Sequence, residues 1–104
     1  MKNHVEIEGI LQEAPELKSG SPDGSVLICT AKLIHRRERT AGEPITYYFN
    51  LVGRNEAATR LAGMRAGDGV SVEGKISVRS WVDKNGWKRS IYEIYAISVE
   101  KIVV

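Results

Sequence analysis

NEAATRLAGM, residues 55–64, is the one passage of this chain that reads as a helix. Asn55 stands where an N-cap belongs, Glu56 suits the first turn, and Ala58, Leu61 and Ala62 form an apolar side. A helix this short is marginal alone in water, so it must pack on something. Gly63, Gly67 and Gly69 follow and end it.

The segments on either side read as strands. In residues 4–11, HVEIEGIL, Val5, Ile7 and Leu11 point one way and His4, Glu6 and Glu8 the other, the period-two pattern of a half-buried strand. SGSPDGS, residues 19–25, is dense in turn formers. VLICTAKLIH, residues 26–35, is a second strand, followed by a charged loop, RRERTAGEP, and by a third strand, ITYYFNLV, at 45–52. After the helix come two more strands, about 69–82 and 87–102, joined by a hairpin at Asp83-Lys84-Asn85-Gly86. The order β-β-β-α-β-β, with one short helix between the third and fourth strands, predicts an all-β protein with the OB-fold, a five-stranded Greek-key barrel.

A length of 104 residues, 42% hydrophobic, suits one domain with one core. Net charge is only +2, but its distribution is uneven. The first 25 residues lean acidic, whereas Lys32 to Arg39, with Arg36 and Arg37, and Lys75 to Arg89, with Lys84 and Lys88, lean basic. The single cysteine, Cys29, sits in an apolar run and reads as a buried, inert thiol. The N-terminus has no signal-peptide core and no apolar run nears the ~20 residues of a membrane span, so a soluble, cytoplasmic protein is expected.

Both tryptophans fall in SVRSWVDKNGWKRS, residues 77–90. Alternation along the fourth strand puts Val70, Val72, Gly74, Ile76, Val78, Ser80 and Val82 on a core face. Ser71, Glu73, Lys75, Ser77, Arg79, Trp81 and Asp83 fall on the wet face, where the core has no use for a large indole. A flat aromatic beside cations suits single-stranded nucleic acid, because bases stack on the ring and phosphates meet the cations. The competing reading packs Trp81 across the hairpin against Trp87 or a lysine stem. Trp87 stays open between the two, since both faces of the last strand carry apolar residues: Ile91, Tyr95, Ile97 and Val99 on one, Tyr92, Ile94 and Ala96 on the other.

Residues 53–86, GRNEAATRLAGMRAGDGVSVEGKISVRSWVDKNG, resemble the bacterial single-stranded DNA-binding protein family in the Gly closing the third strand, the short helix, the V-x-V-E-G strand and the basic W-x-D-x-x-G hairpin. Gly9 and Pro15-Glu16 extend the likeness to the N-terminus. The resemblance implies single-stranded DNA binding, usually by a homotetramer that wraps the strand, with Trp81 on a base-stacking position. Together with an exposed first strand and the apolar run AISVEKIVV, it leads to the expectation of a homodimer that pairs into a homotetramer. Other stacking positions of the family differ here: Val52 stands before the Gly that ends the third strand, Thr46 beside Tyr47 and Tyr48 where that strand opens, and Arg36 and Arg37 in the loop after the second strand. Tyr48 is a replacement platform, and Lys75, Arg79, Lys84, Lys88 and Arg89 are the candidate phosphate contacts with Arg36 and Arg37. The family usually continues into a linker and an acidic recruitment tail. This chain stops at EKIVV and is similar in length to primosomal replication protein N, a tail-less relative, so it reads as a bare domain, natural or truncated.

Two function classes follow. One is a non-catalytic single-stranded DNA-binding protein of replication, recombination or repair, with RNA not distinguished from DNA. The other is an OB-fold protein-interaction or structural module, or a primosomal subunit of replication restart, with the aromatics buried at a subunit interface. Catalysis is not expected, nor a cofactor or metal. His4 and His35 are the only histidines, His35 reads as part of a basic loop, and no metal-ligand spacing, phosphate loop or nucleophile-base pair is present.

Overall fold

In β1, Val5–Leu11, the odd-numbered residues turn into the protein and Glu6, Glu8 and Ile10 face out, as the alternation requires. A computed structural model describes residues 1–103. The further elements are β2 (Glu16–Ser19), β3 (Leu27–Arg37), β4 (Ile45–Arg54), α1 (Glu56–Ala62), β5 (Gly69–Val82) and β6 (Lys88–Ile102). The strands lie in the order β1-β5-β6-β4-β3-β2, and Ile10 and Leu11 of β1 also pair with Ile34 and Leu33 of β3. That contact closes β1, β5, β6, β4 and β3 into the five-stranded barrel of the OB-fold. All pairings are antiparallel except β4 with β6, which run parallel over Leu51–Ile94, Val52–Tyr95 and Gly53–Ala96.

The core gathers Leu11, Cys29, Leu33, Leu51, Val70, Val72, Ile94, Ala96 and Val99 from the strands with Ala57, Ala58 and Leu61 from the helix. Its apolar stripe thus lies against the barrel, which supplies the packing that so short a helix requires. Asn55 enters the helix differently from the expected cap. Its φ is 54°, its side chain makes no capping bond, and its Oδ1 accepts instead from the Leu27 N–H at 3.4 Å. Cys29 is fully buried, and desolvation together with the Glu16 charge raises its thiol pKa, which suppresses the reactive thiolate.

Several expectations change. β2 was not foreseen: Glu16–Ser19 pairs with Thr30–Leu27 of β3, but all four residues are exposed and carry no alternation to read. β3 runs on through Arg37, so His35, Arg36 and Arg37 lie on a strand, opposite Tyr47, Thr46 and Ile45, and not in a loop. The His35 Nδ1–H donates to the Glu8 carbonyl at 2.7 Å and covers part of the open edge of β1.

The largest correction concerns the predicted core face of the fourth strand. Only Val70, Val72 and Gly74 are buried; Ile76, Val78 and Val82 are 41%, 51% and 68% exposed, and Ser80 is exposed too. At about 3.3 Å per residue the strand outruns the barrel. Its second half leaves with β6 as a two-stranded ribbon that nothing covers, and alternation persists there without burial. The radius of gyration, 15.0 Å, exceeds the ~13 Å of a compact domain of 100 residues accordingly. A β-bulge at Ile97 of β6, where the register steps from Glu73–Ser98 to Gly74–Ala96, leaves Ile97 unpaired and 63% exposed. The face of β6 changes there: Ile94 and Ala96 point inward before it and Val99 after it, which removes Val99 from the set that contained Tyr95.

One substitution at two places on β5 checks this division. Val72→Ala opens a cavity in the barrel and is expected to cost roughly 1.5–3 kcal/mol, whereas Val78→Ala, on the uncovered ribbon, is expected to cost under about 1 kcal/mol. Denaturant unfolding of both variants reads the difference directly.

Candidate nucleic-acid interface

Cross-strand register assembles an outward face across four strands. Lys75 of β5, Tyr95 of β6, Val52 of β4 and Thr30 of β3 form one row. Farther out on the hairpin, Ser77 stands opposite Glu93, Arg79 opposite Ile91 and Trp81 opposite Arg89. On the other side, Lys32 pairs with Asn50, Ile34 with Tyr48 and Arg36 with Thr46. Because β4 and β6 are bonded only over three residues, the hairpin and the β3–β4 pair part beyond them around a groove of about 370 Å³. Thr30, Lys32 and Asn50 line one wall, Arg79, Ile91 and Glu93 the other, and Glu13, Glu16 and Lys18 come from the β1–β2 side.

Trp81 is 43% exposed on this face. The Arg79 guanidinium carbon lies 5.3 Å from its ring centroid, and Arg79 Nε donates to Glu93 Oε1 at 3.3 Å. Trp81 therefore carries a cation, with no ring contact to Trp87 among the described residues. Trp87, 68% exposed, stands at the hairpin end near Lys84. Arg89 shares the Trp81 side, whereas Lys88, opposite Val82, takes the other side of the ribbon. Tyr48 is 61% exposed, and Arg36 falls on its face; Arg37, one residue on, falls on the opposite one.

Asp83 fixes the hairpin end. Its Oδ1 accepts the Asn85 and Trp87 N–H groups at 2.9 and 3.0 Å, and its Oδ2 accepts Arg89 Nε at 2.9 Å. Gly86 takes a φ of 82°, and its N–H donates to the Asp83 carbonyl at 3.0 Å. The positive φ at that single position fits a three-residue loop in place of the two-residue Asn-Gly turn. Arg89 first, then the Trp87 and Asn85 amides, hold the Asp83 carboxyl below the usual carboxylate range.

Sequence reasoning missed Tyr95 and Arg54. Lys75 Nζ lies 5.5 Å and Arg54 Cζ 5.6 Å from the Tyr95 ring centroid. Nothing local marked Tyr95, because the last strand is apolar on both sides and its bulge conceals which side faces out; Arg54, at the end of β4, reaches that ring only through the pairing of β4 with β6. The outward face turns acidic one row beyond Lys75, at Glu73 of β5 and Glu6 of β1, which pair in register. His4 Nε2 lies 3.2 Å from Glu6 Oε1 and 3.9 Å from Glu73 Oε2, and these three exposed residues are the one set of metal-type donors that comes together among the described residues.

Residues 2–102 match the model of the single-strand binding protein family. The chain belongs to that family. Its relatives include proteins named single-stranded DNA-binding protein from Helicobacter hepaticus, 31% identical over 98% of this chain and 62% of the relative, and from Helicobacter pylori, 31% identical over 96% and 58%. A protein of the same name from Thermus aquaticus is 26% identical over 95% of this chain and 37% of its own length. The chain thus spans between about a third and two thirds of these family members. No helix among the described residues is long and apolar enough to cross a membrane.

The Asp83 contacts set a pH dependence. A carboxylate favoured by the folded hairpin stabilises it fully above the ordinary carboxylate pKa of about 4, and that contribution is lost as pH falls through the depressed folded value. The amide protons of Asn85 and Trp87 are expected to titrate together by NMR with a midpoint below that of a free Asp, and Asp83→Asn to remove the step. A midpoint at the ordinary value would show that these contacts do not hold the end.

Proposed function

We propose that this chain binds single-stranded DNA without catalysis, in replication, recombination or repair. The exposed Trp81 indole, carrying Arg79 on a face where cations line both walls of a groove, is the observation that carries the reading. Bases stack on Trp81 and Tyr48, with Trp87 at the hairpin end as a further contact. Phosphates meet Lys75, Arg79 and Arg89, with Arg36 on the Tyr48 face and Lys84 at the hairpin end; Arg37 and Lys88, which point to the other sides of their strands, add only to the positive field around the strand. Each stacked base contributes ~1–3 kcal/mol and accepts any sequence. Membership of the family and the names of its relatives support the choice of ligand. A cytoplasmic, nucleoid-associated location goes with that role.

The test is a titration with oligo-dT, followed by tryptophan quenching at two salt concentrations, with oligo-U as comparison. Trp81→Ala is expected to keep the melting temperature and weaken binding on the order of tenfold to a hundredfold. Glu93→Gln releases Arg79 from its carboxylate and is expected to tighten binding and steepen the salt dependence, by up to about 0.7 in log K per log salt for each phosphate gained. Salt-independent binding, or an unchanged affinity in Trp81→Ala, would overturn the proposal. Tighter binding of oligo-U would transfer it to RNA.

Self-association belongs to the same reading. The second edge of β1 is bonded to β3 only at Ile10 and Leu11, which leaves most of that edge open to another strand. Ile10 is exposed on it, and the C-terminal run AISVEKIVV adds the exposed Ile97. A homodimer, pairing into a homotetramer, covers such an edge. Sedimentation at micromolar concentration is expected to show a dimer or tetramer; a monomer would remove this part.

A further inference from the structure

We infer that Tyr95, Arg54 and Lys75 form a second nucleotide subsite, taking one base on the phenol ring and the flanking phosphates on the two cations. The inference rests on the single-stranded DNA reading and extends it to residues outside the hairpin. Its ground is an imbalance of charge. The hairpin arginines are each matched, Arg79 by Glu93 and Arg89 by Asp83. Arg54 and Lys75 converge on one ring, each within 5.6 Å of its centroid, and among the described residues neither has a carboxylate partner. Two like charges drawn to one neutral ring repel each other, and an anion placed there relieves both.

Shape agrees with charge. Tyr95 sits where β4 and β6 pair, with Val52 beside it in register on one side and Lys75 on the other. A pocket of about 240 Å³ adjoins it, bounded by Val52, Arg54, Ser77 and Arg79. Glu93 also borders this pocket, its charge spent on Arg79. The volume is below the ~300–1,000 Å³ of a drug-sized ligand's site, which is the scale of one base and not of a longer stretch. Val52 leaves this row without an aromatic on β4, and Tyr95 supplies one on the adjacent strand. A strand stacked on Trp81 then has its next support along β6, toward the barrel, and not only at the hairpin end.

Ultraviolet crosslinking of the unaltered protein to an oligo-dT bearing 5-iododeoxyuridine tests this directly. Trypsin separates the platforms, because Trp81 lies in Ser80–Lys84 and Tyr95 in Ser90–Lys101. Adducts are expected on both, with fragmentation placing the second on Tyr95 and not on Tyr92. Adducts on Trp81 without any on Tyr95 would overturn the subsite and leave the DNA reading standing; no binding of oligo-dT at all would overturn both. In support, Tyr95→Leu, which keeps an apolar side chain in the strand, is expected to weaken oligo-dT binding roughly tenfold to a hundredfold with little change in melting temperature. Tyr95→Phe, which keeps the ring, is expected to bind as the unaltered protein does. Equal affinity for the Leu and Phe variants would count against stacking at this position, and because crosslinking needs no substitution, a misfolded variant leaves the test intact.

Discussion

Gly53, Ala96 and Gly74 stand side by side on β4, β6 and β5, and the rest of the molecule is arranged around how little space they occupy. A side chain on Gly53 would lie 3.2 Å from the backbone of Ala57 and Ala58, so the glycine lets α1 settle on the barrel. A side chain on Gly74 would run into the Tyr95 carbonyl at the bulge. This row ends the short parallel ladder of β4 with β6, the direct strand pairing that joins the β3–β4 pair to the β5–β6 pair among the described residues. On one side of the ladder the barrel closes over its core. On the other the two pairs separate, and the groove and the free hairpin are the result.

Charge follows the same division. A net charge of +2 conceals an acidic patch, with Glu6, Glu8 and Glu73 on β1 and β5, a mixed groove, where Lys18, Lys32 and Arg79 face Glu13, Glu16 and Glu93, and a basic hairpin. The ion pairs of Arg79 and Arg89 are exposed on the arginine side, where such contacts contribute about 0–1 kcal/mol at most. Their effect is orientation: Glu93 and Asp83 hold the guanidinium groups on the Trp81 face. Among the described residues Arg54 and Lys75 are positioned by an aromatic ring and have no carboxylate within ion-pair distance.

Much of this was legible in the chain itself. The strands, the helix between the third and fourth of the barrel, and the hairpin around Asn85-Gly86 follow from local period, turn chemistry and the helix-compatible run at 56–62, because those signals are set by each residue's immediate neighbours. The outward direction of Trp81 relative to Val70 and Val72 follows as well, since no bulge on β5 disturbs its alternation. Tertiary structure decided what period cannot express. Whether an apolar residue on β5 is buried depends on whether another layer covers it, and past Gly74 none does. Whether Tyr95 or Val99 faces inward depends on a bulge in the pairing of two strands. Arg36 and Arg37 are equivalent as sequence, but their register with β4 places them on opposite faces, and Arg54 and Lys75, 21 positions apart, meet on one ring only because β4, β6 and β5 lie side by side. Alternation fixes which side of a strand a residue takes; what lies on that side is fixed by the strands that come to pack there, and these are distant in the chain.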